Sequence, residues 1–163
     1  MWFEERTTRK ILGEPFHGRC EIDSHADTTV AGKNWVIIKY TYPSCDIAPF
    51  SEKYTPMKDI PIVTASNGFT LANGRNYILV LHEALYMPDM RHTLINLNQC
   101  QHFGEKVQDK PYHDYCPMSI ESPDGKFAAY LQSVGTVMIL YTWFPTQGDL
   151  KSYPHIYLTS RQH

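Results

Sequence analysis

Two aspartates and a histidine crowd into Cys20-Glu21-Ile22-Asp23-Ser24-His25-Ala26-Asp27-Thr28-Thr29-Val30-Ala31-Gly32, among small hydroxyl residues and just after a short apolar run. Asp23, His25 and Asp27 fall at i, i+2 and i+4, so on an extended segment they share one face, whereas on a helix the two carboxylates would repel. Either arrangement costs stability. A hydrogen-bond network, a metal ion, or a partner chain bringing its own polar groups could offset that cost. The bland alternative is a solvated turn held by Asx-type hydrogen bonds.

The metal reading would take Asp23, His25 and Asp27 as ligands, joined by one of two His-x-x-Cys pairs, His17/Cys20 or His113/Cys116. With 8 His in the chain such pairs arise by chance and no partner spacing is fixed, so no metal ligands and no cofactor are assigned. His82, His92, His102, His155 and His163 read as surface or packing residues. Cys100 reads as core, and Tyr141, Trp143 and Phe144 as packing or a dimer interface.

The elements that must position this cluster are mostly strands. Arg19 to Ile22 alternates polar and apolar residues and predicts a strand delivering Asp23 to a turn, with β-branched Thr28 to Ala31 resuming beyond it. Asn34 to Tyr42 predicts a second strand closed by a turn at Pro43-Ser44-Cys45-Asp46, and Ile47 to Pro61 an exposed connection with a short edge strand. Ile60 to Ala65 and Tyr77 to His82 flank a segment carrying Asn-Gly twice, Asn67-Gly68 and Asn73-Gly74. That is the best hairpin signal in the chain, and its long tip should project and could cover a cleft. Ala84 to Asp89 predicts a strand closed at Pro88, and Thr93 to Gly104 a strand end running into a short helix stopped by Gly104. Strands at Met118 to Glu121, Phe127 to Leu131 and Thr136 to Phe144, with a Pro123-Asp124-Gly125 turn, complete an all-β pattern with one short helix.

The 163 residues suit one domain, and 11 Tyr, 7 Phe, 3 Trp and 11 Pro lean toward strands and ordered loops. A net charge of −2 with scattered basic residues is no footprint for nucleic acid or an anionic membrane. No apolar run nears the roughly 18 residues a membrane span needs. The expected organisation is a flexible leader over residues 1–10, a domain over 11–146, and a C-terminal tail over 147–163 that adds one more strand or trails off. Four cysteines, Cys20, Cys45, Cys100 and Cys116, are too sparse for a disulfide scaffold and are read as reduced in an intracellular chain.

Asp23-Ser24-His25-Ala26-Asp27, with Thr-Val following, resembles the Asp-[Ser/Thr]-Gly-Ala-[Asp/Ser] signature of retropepsin-type aspartic proteases. His25 stands where that signature has Gly. Thr93-Leu94-Ile95-Asn96-Leu97-Asn98 resembles the apolar-apolar-Gly segment that leads into the C-terminal helix of these proteases, with Asn96 in place of Gly. Ala84-Leu85-Tyr86-Met87-Pro88-Asp89-Met90-Arg91-His92-Thr93-Leu94-Ile95 is similar to a segment of copia-type retrotransposon Gag-Pol polyproteins. The resemblance covers residues 12 to 104, and the 135–145 stretch also looks like sequence following the protease in such elements.

The resemblance implies a closed β-barrel with one lobe per chain, a core over 11–104 and a β-rich extension over 105–146. It implies an aspartic endopeptidase that processes its polyprotein in the cytoplasm or a virus-like particle. In that family two Asp carboxylates share a proton and activate a water. Outside this motif no Asp (Asp46, Asp59, Asp89, Asp109, Asp114, Asp124 or Asp149) is followed by Ser or Thr, so a homodimer would supply the second Asp23 across a two-fold axis. Asp23 and Ser24 would be catalytic. His25, Ala26 and Asp27 would meet the polypeptide substrate, and Asn67, Gly68, Asn73 and Gly74 would belong to a flap. A protonated His25 would favour the ionised carboxylate over the shared proton, so the alternative is a silent, domesticated dimerisation or peptide-binding domain. Asn96, by this reading, replaces Gly at positive φ. A zinc-stabilised binding domain is the third option.

Overall fold

The structure, a computed structural model, describes residues 19–23, 28–47, 57–108, 119–134 and 137–159. Residues 1–18, with the expected leader and His17, lie outside them, as do Ser24, His25, Ala26, Asp27, His113 and Cys116. The chain is mostly strand, as its alternating and β-branched runs predict, and carries two short helices among the described residues.

Eight strands lie in one path. They are β1 (Arg19–Asp23), β2 (Val30–Ala31), β3 (Val36–Ile47), β4 (Met57–Thr70), β5 (Asn76–Tyr86), β6 (Thr93–Asn96), β10 (Gln132–Val134) and β11 (Val137–Tyr141), in the order β10-β11-β1-β6-β2-β5-β4-β3. β12 (His155–Tyr157) joins the same sheet by pairing in parallel with β5. A separate three-stranded sheet holds β7 (Lys106–Gln108), β8 (Ser119–Glu121) and β9 (Ala128–Tyr130). Helix α1 (Leu97–His102) follows β6, and α2 (Gln147–Ser152) follows β11.

Several expectations change. β3 runs through Pro43 to Ile47 instead of turning there, with irregular register between Thr41 and Ile47. β3 ends the strand path, and an edge is where a proline without N–H is tolerated. The first hairpin strand does not stop at Ala65: β4 continues to Thr70, pairing Asn67 with Leu79 and Gly68 with Ile78. Of the two readings of the tail, its described part, residues 147–159, follows the one that adds a strand. Thr146 and Asp149 close a reciprocal capping box on α2, a signal legible as Thr-x-x-Asp after Pro145, and β12 then extends the main sheet.

The expected closed barrel is absent among the described residues, because the sheet's path ends at β10 and β3. One isolated bridge, Gly68 to Trp143, links β4 to the chain just past β11 through Gly68 N to Trp143 O at 2.7 Å and Trp143 N to Gly68 O at 2.9 Å. Pro145 has no N–H to lengthen that ladder. The core is built from fully buried Ile78, Leu79, Leu81, Ile95, Leu97, Ile120 and Leu140, apolar positions of the strands and α1, together with Phe127 just before β9.

Candidate functional site

β1 carries Asp23 as its last residue and runs parallel to β6, so that Cys20 pairs with Thr93 and Asp23 with Asn96. β2 lies antiparallel on the other side of β6, with Val30 opposite Leu94. The two stretches singled out in the sequence, some seventy residues apart, thus become register neighbours, and the chain leaving Asp23 re-enters the sheet across β6.

That junction is closed by hydrogen bonds. The Asn96 side chain caps α1 by accepting from Gln99 N at 3.1 Å, and Asn96 N donates to Thr29 Oγ1 at 3.1 Å. Thr29 N donates to Gln99 Oε1 at 3.0 Å, and Leu85 N to Thr29 O at 3.0 Å. Thr29 is fully buried, so these bonds satisfy groups that water cannot reach. Asn96 has φ −86°, an extended conformation. The expectation that Asn stands in for Gly at positive φ is therefore corrected: Asn96 is suited to its place as an N-cap whose side chain accepts a backbone N–H. Gly104, at φ +101° just beyond α1, does occupy the left-handed region expected of a helix stop. Gln99 had no sequence signal as a partner of Thr29, since only the β6–α1 turn brings them together.

The proposed flap residues fall elsewhere. Asn67 is fully buried and donates to Asn34 O at 3.0 Å and Thr142 Oγ1 at 2.8 Å. Asn34 donates in turn to Arg19 O at 2.7 Å and accepts from Thr93 Oγ1 at 2.9 Å. A Cβ added to Gly68 would run into the Trp143 indole. Asn67 and Gly68 are thus core residues that cannot touch a substrate, a correction whose cause is the extension of β4 beneath Trp143. Asn73 and Gly74 do occupy the hairpin tip: Gly74 has φ +89°, Gly74 N donates to Leu71 O at 2.9 Å, and Asn73 Oδ1 accepts from Arg75 N at 3.0 Å. That tip borders a cleft of about 210 Å³ shared with Tyr130 and Tyr141. Tyr141 pairs with Arg19, the first residue of β1, while Asp23 is the last, roughly 13 Å along the strand. The tip therefore lies by the wrong end of β1 to cover Asp23.

Cys20 does not suit a metal. Its thiol accepts from Trp35 Nε1 at 2.8 Å inside the core, and burial pushes it up to about 12, so the thiolate that zinc requires is disfavoured. Among the described residues no group of three His, Cys, Asp or Glu side chains could hold a metal ion. No helix among them is long and apolar enough to cross a membrane.

Comparison with family models, with curated proteins and with solved structures gives no match to this chain.

Proposed function

We propose that this chain is one half of a retropepsin-like aspartic endopeptidase of the copia type, working as a homodimer on extended segments of its own polyprotein in the cytoplasm or a virus-like particle. Asp23 of each protomer would share a proton and activate a water that attacks the scissile carbonyl. Ser24 would brace the pair, and His25, Ala26 and Asp27 would meet substrate backbone. The observation that carries this reading is the pairing of Asp23 with Asn96, which joins the two resembling segments at one strand–helix junction. A closed one-lobe barrel is the finer form of the fold that the reading expects.

A second reading is a domesticated, silent domain that dimerises or binds peptides. It is favoured by the placement of Asn67 and Gly68 in the core, which leaves no covering hairpin beside Asp23 among the described residues. Peptide cleavage and self-processing by the wild type and by Asp23→Asn separate the two. The protease reading expects cleavage that Asp23→Asn abolishes while circular dichroism stays unchanged. Cleavage that persists in Asp23→Asn excludes the aspartic mechanism, a dimer that cleaves nothing supports the silent domain, and a strictly monomeric chain at high concentration excludes the shared dyad.

A further inference from the structure

A cavity of about 580 Å³ opens between the three-stranded sheet, the end of α1 and β12, far larger than the cleft at the hairpin tip. Its walls include the rings of Tyr77, Phe103, Phe127 and Tyr157, with Tyr77 and Phe127 packed edge to face at 5.3 Å. Gly104 turns the chain sharply after α1 and sets Glu105 into this cavity. Glu105 is only 7% exposed, and its buried Oε2 has no hydrogen-bond partner among the described residues.

A buried carboxyl oxygen left without a partner carries the full cost of its desolvation. Burial first, and the neighbouring Asp124 second, push the Glu105 carboxyl up to about 7. Lys126 also lines the cavity, but its charge acts on Asp124, whose carboxyl is held below its ordinary value mainly by Lys126 N and Ser122 Oγ. Two carboxylates repel an anion, and among the described residues no group of three His, Cys, Asp or Glu side chains here could hold a metal ion. Aromatic walls around the Glu105 carboxylate suit an organic cation, through charge at one end and ring faces along its body.

We propose that this cavity binds a primary ammonium group carried on an apolar or aromatic body, with Glu105 as its counter-ion and Tyr77, Phe103 and Tyr157 around the body. The inference stands apart from the Asp23 site and does not depend on it. Binding would replace the proton on Glu105 by the ligand's charge, so affinity rises with pH through the Glu105 titration. The other titratable groups that line the cavity are Tyr77 on β5, Asp124 and Lys126 on the β8–β9 turn, and His155, with its Nε2 bonded to Leu150 O, and Tyr157 on β12, and Cys100 on α1 lies within electrostatic reach of Glu105.

The test is titration of the full chain with phenethylamine at pH 8, followed by heteronuclear NMR. Saturable shifts confined to the cavity residues are expected, with neutral 2-phenylethanol binding at least tenfold more weakly. Lowering the pH to 6 should weaken the amine by about tenfold as Glu105 takes up its proton. Glu105→Gln should remove both the preference for the amine and the pH dependence, which identifies Glu105 rather than His155 as the titrating group. Absence of saturable binding, equal binding of the alcohol, or an unchanged Glu105→Gln overturns the proposal. The contrast between amine and alcohol uses the wild type alone, so it decides even if the variant fails to fold.

Discussion

Asn67 and Glu105 are both buried polar residues next to a glycine, yet one is spent on structure and the other is left open. Asn67 sits in a network in which it donates to Thr142 Oγ1 and Asn34 O, while Asn34 accepts from Thr93 Oγ1 and donates to Arg19 O. Each keeps one buried oxygen without a hydrogen-bond partner among the described residues, Asn67 Oδ1 and Glu105 Oε2, but Glu105 lines a cavity and Asn67 lies inside the core. A buried polar side chain is therefore read by where it lies as well as by its partners. Asn67 Nδ2 ties β4 to the chain at Asn34 and Thr142, whereas the Glu105 carboxyl borders space that a ligand can fill.

The comparison is broken most severely at Asn67. Asn67→Ala should cost about 3 kcal/mol in urea unfolding, because two buried bonds are lost and Thr142 is left short of a partner. A loss below about 0.5 kcal/mol would mean that Asn67 is a surface loop residue after all.

Glu105→Gln acts in the opposite direction. The folded carboxyl is raised from 4.5 to about 7, so its penalty is absent below 4.5, grows as the pH rises toward 7, and is complete above it. The variant should therefore gain up to about 3 kcal/mol at pH 8 and almost nothing at pH 4. Thermal melts of both proteins across that range check it, and equal gains at both ends would exclude the carboxylate as the cause.

Smaller effects sharpen the contrast. Gln99→Ala should cost about 1 kcal/mol by leaving Thr29 N without its acceptor at the β6–α1 junction, read as a lower denaturation midpoint with an unchanged m-value. Asn73→Ala, at the exposed tip where only Arg75 N is bonded, should change stability by less than about 0.5 kcal/mol by the same measurement.

Local signals were legible wherever the physics is local. Alternation from Arg19 to Ile22 marked β1, Gly104 marked the stop of α1 because only a residue without Cβ takes φ +101° cheaply, and Asp124-Gly125 marked the β8–β9 turn. Asn67-Gly68 carried the same turn signature as Asn73-Gly74 and was misleading, since the packing of Trp143 decides which of the two becomes strand. Pro43 misled in the same way, because a proline is punctuation only where the strand needs its N–H, and an edge strand does not. The chain by itself therefore determined the all-β character, the strand-to-helix turn at Asn96, and the residue types that make Asp23 worth testing. Only the tertiary structure decided that Asp23 stands opposite Asn96, that Asn67 belongs to the core, and that Glu105 lines a cavity. These depend on contacts between residues far apart in sequence, and no local propensity encodes which partner a buried polar group will find.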